Sequence, residues 1–78
     1  MHDLLKRIHS DPKIMVGKPV VKGTRITVEH IMNELALGLT SVQLVEMYPR
    51  LTEADIRAAC AYASALLSGE RVTPIAAE

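Results

Sequence analysis

From Thr27 onward the apolar positions recur at helical spacing. Val28, Ile31, Met32, Leu35 and Ala36 fall at i, i+3, i+4, i+7 and i+8, which predicts an amphipathic helix. Thr27 stands at its N-cap, Glu29 suits the positive helix start, and Gly38 lies where a left-handed C-cap belongs. A second helix opens with Thr40-Ser41-Val42-Gln43, a capping box flanked by Leu39 and Leu44 as a hydrophobic staple. Pro49 forbids its continuation, so this helix is short. Thr52-Glu53-Ala54-Asp55 repeats the device with Asp in the last position, and Leu51 and Ile56 form a second staple. Ile56, Ala59, Cys60, Ala63 and Leu67 then give the core stripe of a third helix that runs to Gly69.

The texture before Thr27 is different. Pro12, Gly17, Pro19 and Gly23 come densely, with the β-branched pieces Ile14-Met15-Val16 and Val20-Val21 between them. Such pieces predict short strands and turns, a small ribbon or arm whose strands are left to pair within the chain or across two chains. The fold class expected is therefore mainly α: a trihelical helix-turn-helix bundle over 28–69 with a short N-terminal β-ribbon or arm over 1–27. Residues 1–69 read as one domain and 70–78 as a flexible tail, in which Val72 and Ile75 are free to pack on a neighbour.

Length and composition narrow the class. A chain of 78 residues has too few side chains for a second core. Hydrophobic residues at 49% with no net charge speak against a disordered chain. No run approaches the roughly 20 apolar residues of a membrane span, and Met1 to Ser10 carries no apolar signal stretch. The single cysteine, Cys60, makes no internal disulfide and sits on an apolar helix face, where a buried structural thiol is expected. A reduced, cytoplasmic, soluble protein is the expectation. So small a core favours a homodimer or higher homo-oligomer.

The zero net charge hides two unequal halves. Residues 1–27 hold six cations (Lys6, Arg7, Lys13, Lys18, Lys22, Arg25) against Asp3 and Asp11, a net of +4. Residues 28–78 hold Arg50, Arg57 and Arg71 against seven acids (Glu29, Glu34, Glu46, Glu53, Asp55, Glu70, Glu78), a net of −4. Such a split suits a basic segment that meets an anionic partner, or subunits docking basic on acidic.

Little in the chain points to chemistry. His2, His9 and His30 have no i, i+4 pairing and Cys60 stands alone, so neither a metal site nor a cofactor is expected. Hydrolase spacings and a Gly-rich phosphate loop are missing too, and the chain reads as no enzyme. As a helix-turn-helix, the last helix would present Thr52 and Arg57 to DNA, with Arg50 in the turn before it. Glu53 and Asp55 would repel phosphates there, and Glu53 and Arg57 are spaced as an i, i+4 support pair. Lys18, Lys22, Thr24 and Arg25, in the Gly-punctuated arm, are better placed to grip a backbone. Base stacking is set aside, because Tyr48 and Tyr62 are the only aromatics.

The run from Asp11 to Val28, with Gly17-Lys18-Pro19-Val20-Val21-Lys22-Gly23-Thr24-Arg25 at its centre, closely resembles a small prokaryotic family, domain of unknown function 433. Gly38, Tyr48-Pro49-x-Leu51-Thr52-x-x-Asp55-Ile56 and Ala59-x-x-Tyr62-Ala63 extend the likeness over residues 8–67. The resemblance implies a homeodomain-like helix-turn-helix and an antitoxin of a type II toxin–antitoxin pair. Such an antitoxin would bind a PIN-like nuclease toxin and operator DNA. It carries over Gly17, Pro19 and Gly23 as signature residues of structural type, and no catalytic residue. Arg25 matches the signature as well, with a role on phosphate, on a partner's acid, or in a salt bridge to Glu29 or Glu34. The competing expectation is a protein-interaction or dimerisation module that does not touch DNA.

Overall fold

A computed structural model of the chain describes residues 2–69. The order of elements is α1 (His2–Leu5), β1 (Ile8–His9), a tight turn at Met15–Gly17, β2 (Val20–Val21), α2 (Val28–Ala36), α3 (Ser41–Met47) and α4 (Glu53–Gly69). The fold is mainly helical, with one short antiparallel sheet of two strands. The tail over 70–78, with Val72 and Ile75, lies outside the described residues.

Local signals place the three long helices. The Thr27 hydroxyl accepts from the His30 amide at 2.9 Å and caps α2. At the other end, Leu39 N–H donates to Glu34 O and Gly38 N–H to Leu35 O, the two bonds of a Schellman motif. That motif needs a left-handed residue, and Gly38 supplies φ +104°. α3 begins with the reciprocal capping box: Gln43 N–H donates to Thr40 Oγ1 and Thr40 N–H to Gln43 Oε1. A turn over Tyr48–Leu51, closed by a 2.8 Å bond with Pro49 in its second place, then leads into α4.

The core lies where these helices meet. Ile31 and Leu44 are fully buried, and Val28, Leu51, Ile56 and Ala59 join them. α4 touches α1, α2, α3 and β1. The small side chains of Ala58, Ala59 and Ala61 let it be covered on more than one side. Burial in α4 stops at Ala61, so Leu67 is 82% exposed rather than part of the core stripe, and Cys60 and Ala63 are only half-buried. Ala36 is exposed as well, because only the first turn of α2, at Val28 and Ile31, is fully covered.

The N-terminal segment is not a projecting arm. β1 and β2 pair within one chain, Ile8 opposite Val21 and His9 opposite Val20. Val20 and Val21 are buried, since Val20 also bridges to Thr27 and Pro19 O accepts from Val28 N–H. The one-turn helix α1, which no periodicity announced, packs against α4. Ile14-Met15-Val16 is not a strand either. Asp11 and Pro12 start a turn, with Lys13 N–H on Asp11 Oδ1, and the chain then coils left-handed through Met15 (φ 49°), Val16 (φ 57°) and Gly17 (φ 81°). Val16 is 94% exposed in this conformation, which a β-branched residue seldom adopts.

Candidate anion-binding basin

The signature run builds a compact corner between β2 and α2. Val21 N–H donates to Ile26 O at 2.9 Å and closes a loop over residues 22–25. Inside it, Thr24 N–H donates to Val21 O at 3.0 Å, so residues 21–24 form a tight turn. Gly23 takes φ +81° at the third place, which a type II turn reserves for glycine. The Thr24 hydroxyl donates to Val21 O and accepts from Ile26 N–H, fixing the way out of the turn. This rigid corner carries Lys22 and Arg25 on its exposed side.

An open basin of about 540 Å³ lies against the corner. Lys22, Gly23, Thr24, Arg25 and Ile26 line it together with His9 from β1, Ile14 and Arg50. Arg50 arrives from the other half of the sequence, at the third place of the Tyr48–Leu51 turn. Among the described residues no carboxylate lines the basin, and Lys22, Arg25 and Arg50 make no ion pair. Three cations share one concave wall without an internal counter-ion. Anion binding relieves that repulsion, the more so at low salt.

The other cations named from the sequence are placed elsewhere. Lys18 donates to Glu29 Oε1 at 2.8 Å, and its hydrogen bond and charge hold the Glu29 carboxyl below the ordinary value of 4.5. Glu29 is therefore engaged by Lys18, and Arg25 pairs with neither Glu29 nor Glu34. Thr52 caps α4 through Asp55, and Arg57 is exposed on α4; neither lines the basin. Glu53 and Arg57 do not pair. Asp55 does not face a ligand: it is 6% exposed and accepts from Thr52 N–H at 2.9 Å and from Arg7 Nη1 at 3.1 Å. His9, Ile14 and Ile26 are lining residues that sequence reasoning missed, and the β1–β2 register brings His9 there. Thr24 lines the basin, but its hydroxyl proton is committed to the turn. Among the described residues no group of three or more His, Cys, Asp or Glu could hold a metal ion, and no helix is long and apolar enough to cross a membrane.

The same corner lies inside the stretch that identifies the family. The family described as protein of unknown function DUF433 matches residues 8–63. The chain belongs to this family. Within DUF433, the solved structure of a member from Anabaena variabilis ATCC 29413 is similar at a TM-score of 0.73 and 28% identity. That likeness covers 81% of this chain and 62% of the other. The uncharacterized protein y4eO of Sinorhizobium fredii is 38% identical over 58 residues, which is 74% of this chain. The chain spans only 26% of the length of y4eO.

Proposed function

We propose that this DUF433 protein is a non-enzymatic, antitoxin-like DNA-binding protein of a type II toxin–antitoxin pair, acting in the cytoplasm as a homodimer beside a PIN-like toxin. In this reading α3 and α4, joined by the Tyr48–Leu51 turn, serve as a homeodomain-like helix-turn-helix. The observation that supports it is the meeting of Arg50, from that turn, with Lys22 and Arg25, from the signature corner, in one basin that no acid among the described residues lines. Cations from both halves of the chain thereby present a joint surface to a phosphate backbone. Asp55 is no obstacle to such a partner, being buried against Arg7 and Thr52.

An electrophoretic shift with the DNA upstream of the gene tests the reading. The native protein is expected to bind at low salt and to lose affinity steeply as salt rises. Arg25→Ala and Arg50→Ala weaken the shift, whereas Arg57→Ala changes it little. No low-salt binding by the native protein removes operator recognition, and a loss confined to Arg57→Ala removes the basin as its seat.

A second reading is a protein-interaction module without DNA contact. The exposed apolar side chains Leu37, Val42, Met47, Leu66 and Leu67 favour it. It predicts a stable complex with a neighbouring gene product that survives Arg25→Ala and Arg50→Ala.

A further inference from the structure

A single phosphodiester does not use all that the basin offers. A phosphodiester carries one negative charge, while Lys22, Arg25 and Arg50, which pair with no acid among the described residues, bring three positive ones to a single concavity. The remaining cations of the first 27 residues do not crowd it: Arg7 is tied to Asp55, Lys18 to Glu29, and Lys6 and Lys13 do not line it. Two guanidinium forks with one ammonium suit a terminal phosphate or a diphosphate, whose oxygens accept several charge-assisted bonds at once.

Size and lining narrow the ligand further. At about 540 Å³ the basin falls within the range of small-molecule sites, roughly 300–1,000 Å³. Inorganic phosphate alone would leave most of it empty. Ile14 and Ile26 add apolar surface between the cations, and Gly23 adds backbone without a side chain. Those isoleucines offer the apolar contact that a sugar and a planar base use, with His9 as a further polar neighbour.

We propose that the basin is a nucleotide site, taking a nucleoside diphosphate with its phosphates on Lys22, Arg25 and Arg50 and its nucleoside against Ile14 and Ile26. The site goes beyond the antitoxin reading and does not require it. A nucleotide seated there would occupy the cations offered to DNA, so the two ligands exclude each other.

The test uses the isotope-labelled full chain titrated with adenosine diphosphate, adenosine and pyrophosphate, followed by amide chemical shifts. Adenosine diphosphate is expected to move the signals of His9 and of residues 22–26 and to saturate below about 1 mM. Adenosine binds far more weakly for want of charge, and pyrophosphate more weakly for want of the nucleoside. Arg25→Ala and Arg50→Ala each lower the affinity roughly tenfold or more. Lys13→Ala, an exposed lysine away from the basin, leaves it unchanged. The proposal is overturned if the shifts map elsewhere, if adenosine or pyrophosphate binds as tightly as the diphosphate, or if neither arginine variant loses affinity. Upstream DNA is titrated in parallel. Duplex binding without nucleotide binding removes the nucleotide site and leaves the operator reading, and the reverse result removes the operator reading alone.

Discussion

The segment up to Thr27 and the helices after it are held by different forces. In the helical part, Val28, Ile31, Leu44, Leu51, Ile56 and the alanines of α4 are buried against one another. In the N-terminal part, Val20, Val21 and Thr27 are buried among the described residues, Ile8 and Ile26 pack partly buried against the same core, and α1 lies on α4. Backbone bonds and two ion pairs add to this fastening. Both pairs run outward, Arg7 to Asp55 on α4 and Lys18 to Glu29 on α2. The basic half thus spends two of its cations on attachment to the acidic half. Lys22 and Arg25 have no such partner among the described residues, and they are the two that line the basin with Arg50. Opposite charges in the two halves therefore serve first as internal fastening and only in the remainder as a surface for ligands.

Removing the centre of the helical part has the largest expected effect. Leu44 is fully buried, and Leu44→Ala should cost about 2–5 kcal/mol in denaturant unfolding. Ribbon and helices should then melt together, since β2 packs on the same core. Separate transitions would break the picture of an attached ribbon.

Asp55→Ala comes next, at about 1–3 kcal/mol, because it removes the carboxylate that accepts from Thr52 N–H in the capping box of α4 and leaves Arg7 without its partner. Hydrogen exchange should rise most at the β1–β2 pairing and the first turn of α4. An increase confined to α4 would mean that Arg7 does not fasten the ribbon.

The smallest effect belongs to the exposed Lys18–Glu29 pair. Glu29 titrates below its ordinary value in the folded chain, so its contribution to stability is present above pH 4.5 and fades as pH falls through the lowered folded value. In Lys18→Ala, the Glu29 titration followed by NMR should move up toward 4.5, with little change in melting temperature at neutral pH. A large loss of stability at neutral pH would show that the contact does more than its exposure allows.

The parts of the fold readable in advance are those set by neighbouring residues. Thr27, Gly38, the boxes at Thr40 and Thr52, and Pro49 mark the ends of α2, α3 and α4 because capping chemistry acts over three or four residues. α1 is one turn long and shows no period, and its place depends on contact with α4. The left-handed coil at Met15–Gly17 runs against the β preference of Val16, so propensity pointed the wrong way there. The site divides along the same line. Lys22, Thr24 and Arg25 stand together in the sequence, and Arg50 stood out from its turn, whereas His9 reaches them only through strand pairing. Thr52 and Arg57 lie outside the basin, and their place on a helix-turn-helix says nothing of which concavity they line.

The bond between Arg7 and Asp55 joins residues 48 positions apart. During synthesis β1 is made before α4, and its fastening on α4 becomes available only when the chain has grown past Asp55. Until then Arg7 lacks the Asp55 carboxylate, and the attachment of the ribbon to α4 waits on this long-range contact. The ribbon is thus secured on α4 only by a part of the chain that is made after it.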